Sequence, residues 1–156
     1  MLGVNQDIFF MEQALNLAKK AQLSGEVPVG AVAIYNNKII GRGYNSSLVL
    51  NDPTSHAEII ALREAAQRLN NYRLKGVDLY VTLEPCLMCA GAMIHARIRR
   101  LIFGATDPKT GAIVSVFNIF SKYKLNHSIE FTAGVLASKC SNILTIFFKS
   151  KRFKVN

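Results

Sequence analysis

Two cysteines and one histidine have the residue types and the spacing that can bind a metal ion. Cys86 and Cys89 begin an apolar run of small residues, and His56 lies 30 residues before the first of them. Side chains three positions apart meet on one face of a helix, and a helix N-terminus favours thiolates. Two thiolates and an imidazole suit zinc, and three protein ligands leave one tetrahedral position open for water. An open position is typical of a catalytic zinc rather than a structural one.

A Cys-x-x-Cys pair has two other interpretations that involve no metal. In thioredoxin-like proteins it is a redox pair that accompanies a βαβ unit. Here Pro85 precedes the pair and a His-x-Glu motif lies upstream, which disfavours the redox assignment. Two inert core cysteines are a stronger alternative for the pair taken alone, because free cysteine is often buried. The additional presence of His56 and Glu58 favours the metal site.

Glu58 is the candidate proton carrier of this site. It follows His56 by two residues, so its carboxylate can reach a water on the metal without being a fourth ligand. Zinc lowers the pKa of such a water and makes hydroxide available near neutral pH. The alternative is a solvated glutamate that completes a capping box with Ser55 at the start of a helix.

Four other residues could take part in chemistry, but their patterns are less specific. Glu84, beside the cysteine turn, is expected to order a loop or to pair with a base. His95 lies nine residues beyond Cys86, too far along a helix to complete the zinc shell, so we expect it to pack or to face RNA. His127 is ambiguous, and Cys140 is expected to be a small core residue.

Capping residues and helical spacing predict the first two helices of the chain. Asn5 or Asp7 caps the first helix, and its apolar face recurs at regular intervals. The residues of that face are Ile8, Met11, Leu15 and Ala18. Thr54 or Ser55 is the predicted cap of the next helix, which places His56 in its first turn.

Five segments have the apolar, β-branched and aromatic composition of strands. They are residues 29–35, 38–44, 78–83, 99–105 and 128–132. Asn36 and Asn37 predict a tight turn between the first two strands, and Gly41 and Gly43 indicate a bulge or a close backbone approach. The segment 45–55 is typical of a loop.

The order of these elements predicts a three-layer α/β/α sandwich on a central mixed sheet of five strands. One helix follows the strand 78–83 and begins at the cysteine turn, and another closes the chain over residues 135–151. The inward positions of the last helix are Leu136, Cys140, Ile143 and Phe147. Ligands of open α/β sheets bind at the carboxyl ends of strands, where we expect the metal-binding turns to converge.

Length and composition predict one globular domain over residues 1–156, with 50% hydrophobic and 19% charged residues. Two of the three cysteines are assigned to metal, so no disulfide framework is expected and a reducing compartment is indicated. The start MLGVNQDIFF has no basic segment followed by a long apolar core, and no window reaches eighteen uninterrupted apolar residues. These features predict a soluble cytoplasmic protein.

The charge of the chain is concentrated in its last 60 residues. Residues 1–96 are neutral, whereas residues 97–156 contain 11 basic and 2 acidic residues and carry the whole net charge of +9. Such an excess suits a polyanion, nucleic acid first and an anionic membrane second, although a basic surface can also serve solubility. In the final helix the basic residues accompany Phe147 and Phe148, the second of which could stack on RNA. They are Lys149, Lys151, Arg152 and Lys154.

Four segments closely resemble bacterial tRNA-specific adenosine deaminases. They are GEVPVGAV (25–32), DPTSHAEI (52–59), TLEPCLMCAGAMIHARI (82–98) and FGATDPKTGA (103–112). The motifs HAE and PCxxC alone are shared with the wider cytidine and nucleoside deaminase superfamily, and the last two segments are more specific. The resemblance extends over nearly the whole chain.

This resemblance implies a cytidine deaminase-like fold and hydrolytic deamination of adenosine to inosine at the wobble position of a tRNA anticodon. The expected partners are an anticodon stem-loop, typically of an arginine tRNA, and a second copy of the chain, with one Zn²⁺ per subunit. By motif match, His56, Cys86 and Cys89 would bind the zinc and Glu58 would move protons. No membrane association is expected.

The resemblance also implies residues that contact the substrate. Asn45 would form hydrogen bonds to the flipped base, Val29 and the backbone of Ala57 would shape the pocket, and Asp107 would contact the RNA backbone or sugar. The segment 112–115 lacks the Gly-Ser that is usual there, which affects the expected shape of this loop.

Two competing functions use parts of the same pattern. A deaminase of free bases or nucleotides would need the same metal chemistry but would not need a basic terminal third. A zinc-stabilised RNA-binding module without turnover would need a fourth ligand to close the metal site, and the sequence offers none that is well placed.

Overall fold

One mixed sheet of five strands organises residues 2–154, the part of the chain that this computed structural model describes. The strands are β1 (Gly30–Tyr35), β2 (Lys38–Tyr44), β3 (Asp78–Leu83), β4 (Arg100–Ala105) and β5 (Glu130–Ala133). The helices within residues 2–154 are α1 (Leu2–Leu23), α2 (Ser47–Leu50), α3 (Ala57–Leu69), α4 (Leu87–Ala96), α5 (Ile119–Lys122) and α6 (Ala137–Phe153). The strand order is β2-β1-β3-β4-β5, in which β3, β4 and β5 are parallel and β1 is antiparallel to both of its neighbours.

Helices cover both faces of this sheet. Val32, Tyr80 and Ile102 point to the layer of α1 and α6, whereas the alternate residues Ala33 and Val81 point to the layer of α3 and α4. Period-two alternation of side chains along a strand separates the two cores. The prediction of a three-layer α/β/α sandwich on a mixed five-stranded sheet is therefore confirmed.

The hairpin of β1 and β2 brings α3 close to the sheet. Asn36 and Asn37 both have positive φ, of 50° and 60°, as a two-residue hairpin turn requires. A register shift occurs opposite Gly41, and a Cβ at Gly43 would collide with the carbonyl oxygen of Ala57 at the start of α3. Both interpretations of the glycines, a bulge and a close backbone approach, are thus confirmed.

Several predicted boundaries are wrong. The first helix does not begin after a cap at Asn5 or Asp7 but already contains Leu2, and Ile8 is 38% exposed because the buried face is rotated toward Asp7. The other predicted inward residues are buried, namely Met11, Leu15 and Ala18. The segment 45–55 contains the short helix α2, and strands β1, β4 and β5 begin one or two residues later than predicted.

A buried carboxylate connects α1 to the centre of the sheet. Asp7 accepts hydrogen bonds from the Tyr80 hydroxyl at 2.6 Å and from the Arg100 guanidinium at 2.7 and 3.2 Å. Arg100 also donates to the Thr132 hydroxyl on β5 at 2.9 Å. A buried charge is tolerated only with a partner and hydrogen bonds, so this network fixes the rotation of α1 that the apolar spacing alone did not predict.

Replacing Asp7 by Ala should destabilise the fold by about 3 kcal/mol, because it leaves the largely buried Arg100 guanidinium without its counter-charge. The free energy of unfolding from urea titration would measure this loss. As a control, Glu12→Ala breaks the exposed ion pair between Glu12 and Lys139 and should cost less than about 1 kcal/mol. Equal losses in the two variants would contradict the structural role of Asp7.

Candidate metal and nucleic-acid site

The three predicted zinc ligands meet at one point. Nδ1 of His56 lies 3.6 Å from Sγ of Cys86 and 3.5 Å from Sγ of Cys89, and all three ligand atoms are within 4.8 Å of one another. Zinc bonds of about 2.3 Å to sulfur and about 2.0 Å to nitrogen, at a tetrahedral angle, place sulfur and nitrogen about 3.5 Å apart. The donor set therefore fits a zinc ion in chemistry and in spacing.

Two helix starts deliver these ligands. His56 is the residue that precedes α3, and Cys86 is the residue that precedes α4, where the chain leaves the carboxyl end of β3. The prediction that His56 lies inside the first turn, after a cap at Thr54 or Ser55, is wrong by one position. The backbone of His56 is still extended, and the Ser55 hydroxyl belongs to the preceding turn, where it donates to Asp52.

The two thiols differ strongly in acidity. Hydrogen bonds with Cys89 and, to a smaller extent, with His56 lower the pKa of Cys86 to about 4, against the opposing effect of burial. The hydrogen bond between the two thiols and burial raise the pKa of Cys89. Two adjacent thiolates repel each other, so the negative charge of Cys86 and that of Cys89 oppose one another. A divalent cation is the group that would stabilise both thiolates.

Glu58 lies beside the metal ligands and is 4% exposed. Burial raises the pKa of its carboxyl, and hydrogen bonding with Cys89 and the charge of His56 oppose that rise. The alternative of a solvated glutamate in a capping box with Ser55 is wrong, since His56 is the cap residue and Glu58 is buried. A buried carboxyl with a raised pKa keeps its proton to a higher pH than an exposed one, as a proton carrier requires.

The residues expected to contact the base form one connected unit. The side-chain oxygen of Asn45 accepts a hydrogen bond from the backbone N–H of Ala57 at 2.9 Å, and the Asn45 backbone donates to the carbonyl of Val29 at 3.1 Å. The Asn45 amide nitrogen has no hydrogen-bond partner within residues 2–154 and remains available as a donor. Because Ala57 lies between His56 and Glu58, these bonds hold the Asn45 amide next to the metal cluster.

Sequence reasoning missed Glu26, which is 3% exposed. Its carboxylate accepts hydrogen bonds from the backbone N–H groups of Leu48 at 3.0 Å and Val49 at 3.1 Å, and so caps α2 from a distance. Asp52 fixes the same segment by accepting from the hydroxyl of Ser55. The only signal in the sequence is an acidic residue in the apolar segment 25–32, which indicates no partner by itself.

Glu84 orders the loop that follows β4, which is the first of the two roles predicted for it. Glu84 is 2% exposed, and its carboxylate accepts backbone hydrogen bonds from Asp107, Ile113, Val114 and Ser115 at 2.9–3.1 Å, and another from the Ser115 hydroxyl. Burial alone would raise the pKa of Glu84, but these donors lower it. The segment 112–115 therefore closes around a carboxylate without the usual Gly-Ser.

A groove of about 750 Å³ separates α6 from the turn that follows β4. One wall contains Asp107 and Lys109, and the other contains Phe148, Lys151 and Arg152. On α6 these three residues share one face, since they are spaced at i, i+3 and i+4. Asp107 uses its carboxylate to accept hydrogen bonds from the backbone of Lys109 and Thr110 within the turn.

The structure separates the basic and aromatic residues of α6 by face. Phe147 is 6% exposed and belongs to the core, as predicted, whereas Phe148 is 46% exposed. Lys149 and Lys154 are exposed but do not line the groove. Cys140 is buried, as predicted.

The remaining histidines do not join the metal cluster. His95 is exposed on α4, and Nε2 of His127 lies 2.7 Å from the carbonyl oxygen of Ile98, which indicates a structural role. Among the described residues, no fourth His, Cys, Asp or Glu completes the group of three ligands. The open site disfavours a purely structural zinc. Within residues 2–154, no helix is both long and apolar enough to cross a membrane.

Comparison with known proteins gives consistent matches. The zinc-binding region of cytidine and deoxycytidylate deaminases matches residues 4–105. The chain is 58% identical over 143 residues to a tRNA-specific adenosine deaminase of Haemophilus influenzae, covering 91% of this chain and 83% of that protein. It is 53% identical over 148 residues to one of Buchnera aphidicola subsp. Baizongia pistaciae, covering 95% and 91%.

A solved structure from work on A-to-I editing by tRNA:A34 deaminases at the wobble position of transfer RNA is also similar. It superposes with a TM-score of 0.85 at 47% sequence identity and covers 87% of this chain and 99% of that chain. The fold is thus shared over most of both chains.

Metal removal should change which cysteine reacts. After chelation, a short pulse of iodoacetamide should label Cys86, whose thiol has a pKa of about 4, and spare Cys140, where burial raises the pKa to about 12. Zinc-loaded protein should show little labelling of Cys86, and urea-unfolded protein should label all three cysteines. Peptide mass spectrometry would measure each site, and equal labelling of Cys86 with and without zinc would contradict the ligand assignment.

Proposed function

Because the chain belongs to the zinc-binding cytidine and deoxycytidylate deaminases and, among them, to the tRNA-specific adenosine deaminases, we propose that it converts adenosine to inosine at the wobble position of a tRNA anticodon. The observation that carries this proposal is the open three-ligand cluster of His56, Cys86 and Cys89 beside the buried Glu58. A deaminase needs an activated water and a proton carrier at one carbon atom, and this arrangement provides places for both.

His56, Cys86 and Cys89 bind one Zn²⁺ per subunit in this proposal. When bound, zinc is a Lewis acid that activates water for attack on C6 of adenine. The ligands lie at the starts of α3 and α4, where the hydrogen bonds of the helices restrict the backbone.

Glu58 is the catalytic acid and base. Hydrolytic deamination consumes one water and releases ammonia, so protons must move from the attacking water to the ring nitrogen and to the leaving amine. The Glu58 carboxylate can take a proton from the water and pass it on. Its burial excludes bulk water from this transfer and favours the protonated state that the second half of the reaction needs.

Asn45, Val29 and Ala57 form the pocket for the flipped base. The free amide nitrogen of Asn45 can donate a hydrogen bond to a purine nitrogen, while its oxygen is held by Ala57. Val29 is 4% exposed and supports this segment from the side of the core. Reading a flipped base by hydrogen bonds to its edge is the general strategy of nucleobase deaminases.

The groove between α6 and the Asp107 turn binds the anticodon stem-loop. Phe148 offers an exposed ring for stacking on a splayed base, and Lys109, Lys151 and Arg152 supply positive charge for phosphates. Asp107 contacts the RNA backbone or sugar, with its turn already fixed by internal hydrogen bonds. A deaminase of free bases would have no use for this groove, which is why RNA is the favoured substrate.

Further parts of the proposal concern the whole protein. Residues 1–156 act as one deaminase domain in the cytoplasm, the active form is a homodimer, and an arginine tRNA is the expected substrate. Exposed apolar side chains beside the site residues support a second copy as partner. They include Leu48, Val49 and Leu50 on α2 and Leu87 and Met88 on α4.

An inosine assay on wobble-adenosine stem-loops, with free adenine and cytidine as controls, tests the substrate class.

Glu58→Ala should separate binding from chemistry. Removing a proton carrier that is not a ligand should leave zinc content and RNA affinity intact, while turnover falls by about 100-fold to 10,000-fold. Inosine formation, elemental analysis and RNA binding would measure the three quantities. Cys86→Ser and Cys89→Ser are the contrasting variants and should lose zinc and stability together. Activity of Glu58→Ala within a few-fold of the wild type would assign the proton to another residue.

Two pairs of basic residues on α6 allow a matched test of the groove. Replacing Lys151 and Arg152 by Gln should weaken RNA binding and reduce the slope of log affinity against log salt by about 1.4, since each phosphate contact of a single strand contributes about 0.7. Replacing Lys149 and Lys154 by Gln changes the net charge equally but lies outside the groove. Equal effects of the two pairs would show that total charge, and not the groove, determines affinity.

A further inference from the structure

We propose that Glu84 is a positioning residue that fixes the RNA groove relative to the metal ligands. This inference rests on the proposed function, because the groove is the surface assigned to RNA. Within residues 2–154 the Glu84 carboxylate forms its hydrogen bonds with the loop 107–115 and not with the three ligand residues or with α6. It would act through the loop that it holds.

The loop is built around the Glu84 carboxylate. Four backbone N–H groups and one hydroxyl donate to its two oxygens, and the residue is 2% exposed. Within residues 2–154 no Lys, Arg or His forms an ion pair with Glu84. Its negative charge is stabilised by loop donors instead, so the conformation of the loop and the ionised carboxylate depend on each other. Gly111 is required here, since a Cβ at this position would collide with the carboxylate.

One end of this loop forms a wall of the groove. The Asp107 N–H donates to Glu84 at 3.0 Å, and the Asp107 carboxylate in turn accepts hydrogen bonds from the backbone of Lys109 and Thr110. Asp107, Lys109 and Thr110 all line the groove. A shift of the Asp107 backbone would therefore displace the whole wall that faces Phe148.

The other end of the loop is attached to the metal turn. The N–H of Ala112 donates to the carbonyl of Pro85 at 2.9 Å, and the N–H of Glu84 donates to the carbonyl of Ala105 at 2.8 Å. Pro85 directly precedes the ligand Cys86. Glu84 thus lies between the last residue of β3 and the metal turn, and it is bonded to both ends of the segment that shapes the groove.

Glu84→Gln tests this role with minimal change in shape. The amide group replaces one acceptor oxygen by a donor that faces N–H groups, so part of the loop loses its partner. We expect zinc to stay at one ion per chain and the amides of Ile113, Val114 and Ser115 to exchange faster with deuterium. The Kd for a wobble-adenosine anticodon stem-loop, and the KM of deamination, should rise by at least about tenfold, as for the loss of a charge-assisted hydrogen bond.

Asp78→Asn is the matched control. Asp78 is a buried carboxylate at the opposite end of the same strand, where it pairs with Arg99 away from the groove. The same isosteric change there should leave the Kd for RNA within about twofold of the wild type, while lowering stability. An equal rise of the Kd in both variants would assign the effect to general destabilisation and would overturn the inference.

Ser115→Ala is a second variant that retains the carboxylate and removes one donor to it. It should raise the Kd in the same direction by about threefold, as a partial loss of the same hydrogen-bonded cluster. Faster amide exchange in Glu84→Gln with unchanged Kd, or loss of zinc together with RNA binding, would overturn the positioning role. If the wild-type protein bound no stem-loop, both the proposed function and this inference would fail. An unchanged Kd in Glu84→Gln would overturn only the inference, because the wild-type protein would still bind RNA.

Discussion

The convergence of one imidazole and two thiols within hydrogen-bond distance is the constraint on which the rest of the structure depends. His56 and the two cysteines come from different helix starts, so α3 and α4 must begin side by side at one edge of the sheet. The glycines of β2 allow α3 to approach the hairpin closely enough for this, because any side chain there would meet the helix backbone. The parallel strands β3 and β4 then leave room for α4 at their carboxyl ends.

Side-chain carboxylates, two of them buried, provide hydrogen-bond acceptors for loop segments whose backbone cannot pair in the sheet. Backbone N–H groups near the site cannot pair in the sheet, and buried donors without a partner are costly. Glu26 accepts from the start of α2, Glu84 from the loop after β4, and Asp52 from the segment before His56. Glu26 and Glu84 accept from donors that are more than twenty residues away in sequence, whereas Asp52 accepts from its own turn. Together these three carboxylates give partners to backbone N–H groups that have none in the sheet.

The sequence predicts local and chemical features better than it predicts distant contacts. The five strands and the turn at Asn36 and Asn37 follow from composition and from the demand for positive φ, so they could be placed within one or two residues. The rotation of α1 could not, because it depends on the pairing of Asp7 with Arg100 across 93 positions. The role of Glu26 was missed for the same reason. The start of α3 was misplaced because Asp52 holds Ser55 in the preceding turn and the backbone stays extended through His56, which local capping patterns do not indicate.

Net charge illustrates the same limit at the level of function. The excess of basic residues after position 96 indicates that a partner would carry negative charge, but it does not indicate which surface would bind that partner. Two of the basic residues after position 96 form ion pairs within the fold: Arg99 pairs with Asp78, and Arg100 pairs with Asp7. On α6, only the face shared with Phe148 turns toward the Asp107 loop. A groove between the basic face of α6 and a turn ordered by a carboxylate is therefore a property of the folded chain, and Glu84 lies between this turn and the metal-binding segment.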